Sequence, residues 1–578
     1  MKRLLFLLLA VLWPGGSPGL LAKVLWSHTT PAGIGVEVTS PYENLPLSFA
    51  IPFSVEITNP TGQTGHWRFT ARDSSYRSNL TFAADFSVAP GERRSFPLFL
   101  PVRPDPLHGI PAPSLNASMQ GTGFPESHYF RINHQLNGHP GAPKSGAMLA
   151  LGREVGIQSL EPLKTHFDKT LKASLSVTQI DTLPEDWRAL EGMDLILITL
   201  NEWHAATPAA QRALRQWAVS GGELALAAAD SRSLPFPVPV PEGASAAYGT
   251  GAVRHARYDG TPLRPETITQ WLDAVEKKRS LPHPGDQLYF KKGASGIGIE
   301  LPKVPRFLIL SALIGLAVLI GPVNLFWLAP AGRRHRLFVT TPLLSLGGCA
   351  LLLAVILFHD GTGGTGHRFT LHRLVPGEPE AVVYQHQVSR TGLIVSAGFR
   401  IGEEALPSFV YQSRQNHPDL LATTDSFSGT WFRSRCLQVM EIGNVRPTRA
   451  ALTVTGTTPE GAPVVLSSLP APADTLFVRD REGRYWKAEN VRTGEKAALA
   501  PASATDLRSW LRQVRGSSLC PGTRTDRLFL SLSDNPPPGT FYALGRETEP
   551  IETLASLRWK RDTAFHVGEL TQTAEAPR

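Results

Sequence analysis

The chain reads as a multidomain α+β membrane protein with four parts: an N-terminal β-sandwich, an α/β domain, two transmembrane helices and a C-terminal β-rich domain. Three observations predict this. Two uncharged apolar stretches of about 22 residues stand near its middle. Short segments that alternate apolar and polar residues flank them on both sides. Between residues 145 and 260, continuous apolar runs alternate with an amphipathic helical pattern. At 578 residues the chain is also too long for one hydrophobic core.

Hydrophobic content of 42% with 18% charged residues fits folded domains and excludes disorder. The 49 prolines and 51 glycines point to many turns and short strands. Net charge is +8, but Lys and Arg are scattered, with no long run and no basic stripe interleaved with aromatics. A solvated basic surface follows, and nucleic acid is not an expected partner.

The N-terminus opens with Met1, Lys2 and Arg3, is apolar over residues 4–13, and breaks at Pro14, Gly15 and Gly16. This is the pattern of a signal peptide over residues 1–22, too short to cross a hydrocarbon core of ~30 Å. Cleavage near Ala22 and retention as an uncleaved anchor both fit. The stretches FLILSALIGLAVLIGPVNLFWL (307–328) and LFVTTPLLSLGGCALLLAVILF (337–358) each suffice for a transmembrane helix. The loop between them, 329–336, carries Arg333, Arg334 and Arg336, which favours the cytoplasmic side. Residues 23–306 and 359–578 are then both extracytoplasmic, on a multi-pass protein of the cell inner membrane. Pro322 and Asn324 within the first span predict a contact with the neighbouring helix. The spans hold no Asp, Glu or Lys, so an ion pathway is not expected.

Residues 23–140 carry strand patterns, with Phe53, Val55 and Ile57 on one face before an Asn59-Pro60 turn. Their spacing resembles the Ig-like sandwiches that bacteria place outside the membrane. In residues 145–260, apolar runs at 148–152, 175–180, 194–200 and 223–229 read as strands of a parallel sheet covered on both faces. Thr207 and Pro208 open a helix as N-cap and first residue. Ala210, Leu214 and Trp217 give it one apolar face, and Gly221 and Gly222 end it. The β-α-β order implies an open α/β sheet. Residues 261–306 form a short amphipathic helix bearing Ile268, Trp271, Leu272 and Val275, then a linker to the membrane.

The segments LPEDWRALEGMDLILI (183–198) and TPAAQRALRQWAVSGGEL (207–224) resemble a class I glutamine amidotransferase-like domain of bacterial membrane proteins. The hairpin motifs LIGPVN (319–324) and TPLL (341–344) resemble the hairpin that follows such domains. The resemblance implies the fold. The family's activity would need a Cys nucleophile with His and Glu partners, and residues 145–260 contain no Cys. His204 and His255 lack a thiol to activate, and neither Ser220 nor Ser231 lies in a Gly-x-Ser-x-Gly elbow. No catalytic residue is therefore assigned.

Ligands of open α/β sheets bind beyond the carboxyl ends of the strands. Asn201, Glu202 and His204 follow one such strand and Asp230 another, which makes them candidate ligand-facing residues; capping and loop solvation is the competing role. Residues 361–366 read as a flexible linker, and 359–578 as a β-sandwich with one appended helix around Leu507, Leu511 and Val514. A further strand is predicted over 527–532, with a polar tail over the last dozen residues. Of three cysteines, Cys349 lies in the second span, while Cys436 and Cys520 either pair as a disulfide or remain thiols. No metal or cofactor motif is present. The expected role is binding or scaffolding without catalysis, with the lipid bilayer and a protein or cell-envelope ligand as partners. The alternative is a diverged hydrolase or amidotransferase-like enzyme using the α/β domain.

Overall fold

The computed structural model describes residues 23–41, 50–73, 81–101, 115–132, 146–171, 174–236, 240, 245–249, 251–279, 299, 306–394, 399–402, 404–412, 419–423, 426–520, 523–534 and 536–572. The signal-peptide reading at 1–22 lies outside them, as does most of the linker preceding the first span. The chain is multidomain and mostly β, with two helices long and apolar enough to cross a membrane.

The N-terminal strands are β1 (Lys23–Thr29), β2 (Gly35–Ser40), β3 (Ala50–Thr58), β4 (Gly65–Asp73), β5 (Thr81–Val88), β6 (Arg93–Pro101), β7 (Leu115–Gly121) and β8 (Phe124–Ile132). Next come β9 (Gly146–Gly152), α1 (Glu161–His166), β10 (Ser174–Ile180), β11 (Leu195–Thr199), α2 (Leu200–Ala205), α3 (Pro208–Val219), β12 (Glu223–Ala228), β13 (Ser245–Tyr248), β14 (Gly251–Arg257) and α4 (Pro265–Arg279). The apolar helices are α5 (Arg306–Val318), continued by a π-helical stretch Leu319–Leu328, and α6 (Leu337–Asp360). Beyond them lie β15 (Gly364–Leu374), β16 (Glu380–Thr391), β17 (Phe399–Gly402), β18 (Leu406–Gln412), β19 (Asp419–Ala422), β20 (Ser426–Gly429) and β21 (Leu437–Pro447). The remainder is β22 (Leu452–Thr457), β23 (Pro463–Ser467), β24 (Ala473–Arg479), β25 (Tyr485–Val491), β26 (Lys496–Ala498), β27 (Ala500–Ala502), α7 (Ala504–Ser518), α8 (Arg524–Asp534), β28 (Thr540–Arg546) and β29 (Leu557–Gln572).

The N-terminal strands form two facing sheets around one core. One runs β1-β2-β3-β6; the other runs β17-β20-β19-β5-β4-β7-β8. Alternation explains the packing: Phe82, Ala84, Phe86 and Val88 of β5 point inward, and their neighbours do not. Buried Asn59 fixes the turn after β3, donating to the carbonyls of Gln63 and Val88 at 2.9 and 3.0 Å. Three strands of the second sheet come from beyond the apolar helices. β19 runs parallel to β5, pairing Asp419–Ala422 with Thr81–Ala84. Phe399, Ile401, Leu420 and Phe427 supply this sheet's far end of the core. Part of the region after the apolar helices thus shares one core with the N-terminal strands, alongside Phe409, Phe432 and Ile551 from the same C-terminal region.

Residues 146–257 form a sheet in the order β10-β9-β11-β12-β14-β13, all parallel except β13. Counting the parallel strands along the chain gives 2-1-3-4-5, a doubly wound arrangement. One face packs Ile196, Ile198, Leu224 and Leu226 under Leu214 and Trp217 of α3, and the other packs Leu195 and Leu197 with Leu163, Ile268 and Trp271. The caps act as expected: the Thr207 hydroxyl accepts the Ala210 N–H at 3.2 Å, and Gly221 takes φ +117° beyond the helix. This unit rests on the C-terminal sheet through a shared core, with Arg215 ion-paired to Glu378 and Gln216 bonded to Glu380 at 2.6 Å.

In the apolar hairpin, wholly buried Asn324 donates to the Thr341 hydroxyl at 2.9 Å, the helix–helix contact expected of it. Gly348 permits close approach, since a Cβ there would lie 2.3 Å from Leu316. Large apolar side chains such as Phe307, Phe326, Trp327 and Phe338 face outward.

Four local expectations for the last region differ from the structure. Residues 364–366 are strand rather than flexible linker: Gly364 pairs with Thr391 and Leu557, so β15 begins just past the end of α6. Residues 527–532 belong to α8, which buries Phe529 and Leu532 three positions apart, a helical spacing. Much of the expected polar tail is the end of β29, with Val567 and Leu570 buried. The C-terminal sheet has twelve strands and carries two helices, α7 and α8, rather than one.

Truncating Phe427 to Ala removes a 4%-exposed ring from the sandwich core and is expected to cost about 3–5 kcal/mol. Limited proteolysis of the detergent-solubilised protein should then cut within residues 23–132 first. Cutting confined to the C-terminal sheet would contradict the shared sandwich.

Candidate functional site

The crevice where parallel strand order reverses lies between β9 and β11, and there the chain fills its own site. β11 ends at Thr199, whose hydroxyl accepts the Glu202 N–H at 3.0 Å while the Glu202 carboxylate accepts the Thr199 N–H at 2.8 Å. This capping box opens α2. The second Glu202 oxygen accepts the Glu154 N–H at 3.0 Å, and the Thr199 hydroxyl donates to the Glu154 carboxylate at 2.9 Å. The Glu202 carboxylate lies over Gly152 at the end of β9, so close that a Cβ on residue 152 would stand 2.3 Å from it.

Asn201 and His204 are exposed on the same turn of helix. Asp230 is exposed beyond β12 and caps the 3-10 turn Ser231–Ser233 by accepting the Arg232 N–H at 3.0 Å. Glu202 and Asp230, expected to face a ligand, are therefore engaged as caps. His255 is buried in β14 with Nε2 3.0 Å from the Ala228 carbonyl oxygen, and the Ser220 hydroxyl donates to the Gln216 carbonyl at 2.7 Å. Each is occupied by the backbone of its own neighbourhood.

Cys436 and Cys520 are both buried free thiols. Cys436 lies beside Thr391, whose N–H it accepts at 3.0 Å, and the Cys520 N–H donates to His386 Nε2 at 3.2 Å, five residues away along β16. The cluster that results was invisible in sequence: Cys520, His386 and Glu441 come together from three distant segments. His386 Nδ1 stands 3.7 Å from the Glu441 carboxylate, which also accepts the Thr525 N–H at 2.7 Å and so places a negative charge at the start of α8. Burial pushes the Cys520 thiol well above its ordinary range, and it is the Cys520 backbone, not the sulfur, that meets the imidazole. The arrangement ties α8 to the sheet and does not present a thiolate.

A second buried cluster joins β15 to β29. His372 Nε2 lies 2.6 Å from the Glu547 carboxylate, and its ring stacks on His566 at 4.4 Å. Burial opposes the charge on Glu547 and on Glu441, but the facing histidines and backbone N–H groups prevail and hold each down to about 2. Burial and the neighbouring His372 push His566 well below 6.5. Among the described residues, no group of three or more His, Cys, Asp or Glu is arranged to hold a metal ion.

No family model and no curated protein matches the sequence. Among solved structures, the chain has a partial likeness to a calcium-binding mutant of Bacteroides uniformis beta-glucuronidase 2, at 10% identity over 34% of each chain and a TM-score of 0.17. The match spans about a third of that protein, and at this TM-score it identifies neither fold nor activity.

Gly152→Ala should displace the Glu202 carboxylate and lower stability by about 0.5–2 kcal/mol, the worth of a cap. Asn201→Ala and His204→Ala should leave the melting temperature unchanged; matching losses in all three variants would mean the crevice is not organised by Glu202. Acid sensitivity follows from the buried clusters. His566 resists protonation in the fold, so stability falls as pH drops below 6.5. Glu547 and Glu441 stabilise above 4.5 and lose that contribution as pH falls toward 2. Tryptophan-monitored denaturation in detergent should show both limbs, with Glu547→Gln flattening the lower one. A pH-independent midpoint from 7 to 3 would refute the assignment.

Proposed function

We propose that the chain is an extracytoplasmic binding or scaffolding protein anchored in the cell inner membrane, non-catalytic, whose α/β unit is an amidotransferase-like domain without the family's nucleophile. The observation that carries this reading is the occupied crevice: Glu202, locked by its cap and by the Glu154 N–H, stands over Gly152 where a ligand or reacting group would sit. A protein that used this crevice for chemistry would have to displace a charged, doubly bonded side chain.

The doubly wound strand order and the Thr207-to-Gly222 helix support the amidotransferase-like fold, and the two-sheet N-terminal core supports an Ig-like module. The same-side topology is supported by β5 and β19. These strands share backbone hydrogen bonds although both apolar helices lie between them in sequence, so two crossings must return the chain to its starting side. The Arg333, Arg334 and Arg336 loop supports a cytoplasmic turn. The partners of this reading are the bilayer and a protein or cell-envelope ligand.

Cysteine labelling tests the topology. Tyr129→Cys and Arg492→Cys, at positions exposed on either side of the hairpin, should react with a membrane-impermeant maleimide on intact spheroplasts. Arg334→Cys should react only after lysis. The opposite pattern would place both soluble regions in the cytoplasm and end the proposal. Mass spectrometry of material co-purified from solubilised membranes then tests the binding role, which predicts a stoichiometric partner.

A further inference from the structure

Where the sandwich, the α/β unit and the returning C-terminal strands meet, a cavity of about 290 Å³ opens. Five aromatic rings line it, with polar side chains such as Ser95 and Thr423 between them. Phe82 and Phe86 come from β5, Phe96 and Phe99 from β6, and Phe427 from β20, and every one of these rings is more than nine-tenths buried. Phe86 and Phe96 face one another across the two sheets with centroids 4.7 Å apart.

The charges around the wall are unequal. Arg188, from the 3-10 turn Trp187–Leu190, lies over the Phe99 ring at 4.2 Å and is held by the Asp186 carboxylate at 2.6–3.0 Å. Asp85, the one carboxylate among the described lining residues, is taken by Arg68 through bonds of 2.6 and 2.8 Å. Arg94 stacks on Phe96 at 5.1 Å with its guanidinium at the exposed rim. Among the described residues, the lining therefore presents one positive charge without an ion-pair partner, that of Arg94, beside the aromatic rings. The phenylalanine rings offer water few hydrogen-bond partners.

We propose that this cavity binds a small amphiphilic carboxylate, with its ring or short alkyl chain among the phenylalanines and its carboxylate on Arg94. The guanidinium fork matches a carboxylate through two parallel bonds, and the aromatic wall favours an apolar body. A junction of structural units is a common location for such a site. Because β5, β6, the 187–190 turn and β20 all contribute, occupancy also clamps three regions of the chain together. The assignment rests on the binding reading above and gives it a ligand class.

The test uses the full chain in detergent, with 4-phenylbutyrate as probe and 4-phenylbutan-1-ol as its neutral counterpart, followed by calorimetric titration. The carboxylate should bind at one saturable site. The alcohol, and the carboxylate with Arg94→Glu, should bind at least roughly tenfold more weakly. Arg94 is exposed, so that variant keeps the fold; Ala422→Phe, which fills the chamber, should abolish binding and is checked by its melting curve. Equal affinity for acid and alcohol, unchanged binding by Arg94→Glu, or no saturable binding each overturns the assignment. If the chain ignores the probe but still co-purifies with a stoichiometric partner, the cavity assignment fails while the broader binding role stands.

Discussion

Parallel pairing of Thr81–Ala84 with Asp419–Ala422 constrains the rest of the molecule. It makes one core from two halves of a chain interrupted by the apolar hairpin. Loop-closure entropy grows only with the logarithm of length, so the great separation is thermodynamically tolerable. Its kinetic consequence is larger. Until β19 has been made and docked, β5 offers an unpaired edge and a half-covered core, and such edges attract wrong partners. The sandwich can therefore close only after the chain has run through both apolar helices and returned to β5.

The same constraint shapes the junction with the apolar hairpin. No long tether separates them: α6 ends at Asp360, and β15 begins at Gly364 within the twelve-stranded sheet. The α/β unit is fixed in turn by its core shared with that sheet and by the Arg215–Glu378 pair. Motion of the second apolar helix and motion of the soluble assembly are mechanically linked.

What could be read from the sequence was local. The α/β strands and α3 declared themselves because apolar periodicity, Thr207, Pro208 and Gly221 all agree on one structure. The segment around Phe529 misled because a short run of alternating apolar residues suits a strand as well as a helix, and only burial against the sheet decides. Membership of β19 in the N-terminal sheet had no local signal at all. Glu202 follows a strand, yet Thr199 and Glu202 also spell a capping box, and that spacing assigns its carboxylate to the backbone. His386, Glu441 and Cys520 meet through strand register and a loop, which spacing in sequence cannot reveal.

These facts bear on where binding is physically economical for this fold. Opening the β9–β11 crevice would strip α2 of its cap, leave the N–H groups of Thr199 and Glu154 without acceptors, and free a carboxylate that an anionic ligand would repel. A ligand there must first offset those losses. The cavity lined by phenylalanines imposes none of them, since its rings need no hydrogen bonds and Asp85 already pairs with Arg68. Its lining also comes from β5 and β20, the strands on either side of β19 in their sheet, so an occupant would reinforce that long-range contact. The usual ligand position of a doubly wound sheet is thus taken up by the chain's own Glu202 carboxylate, whereas the proposed site lies at the seam made by the returning chain.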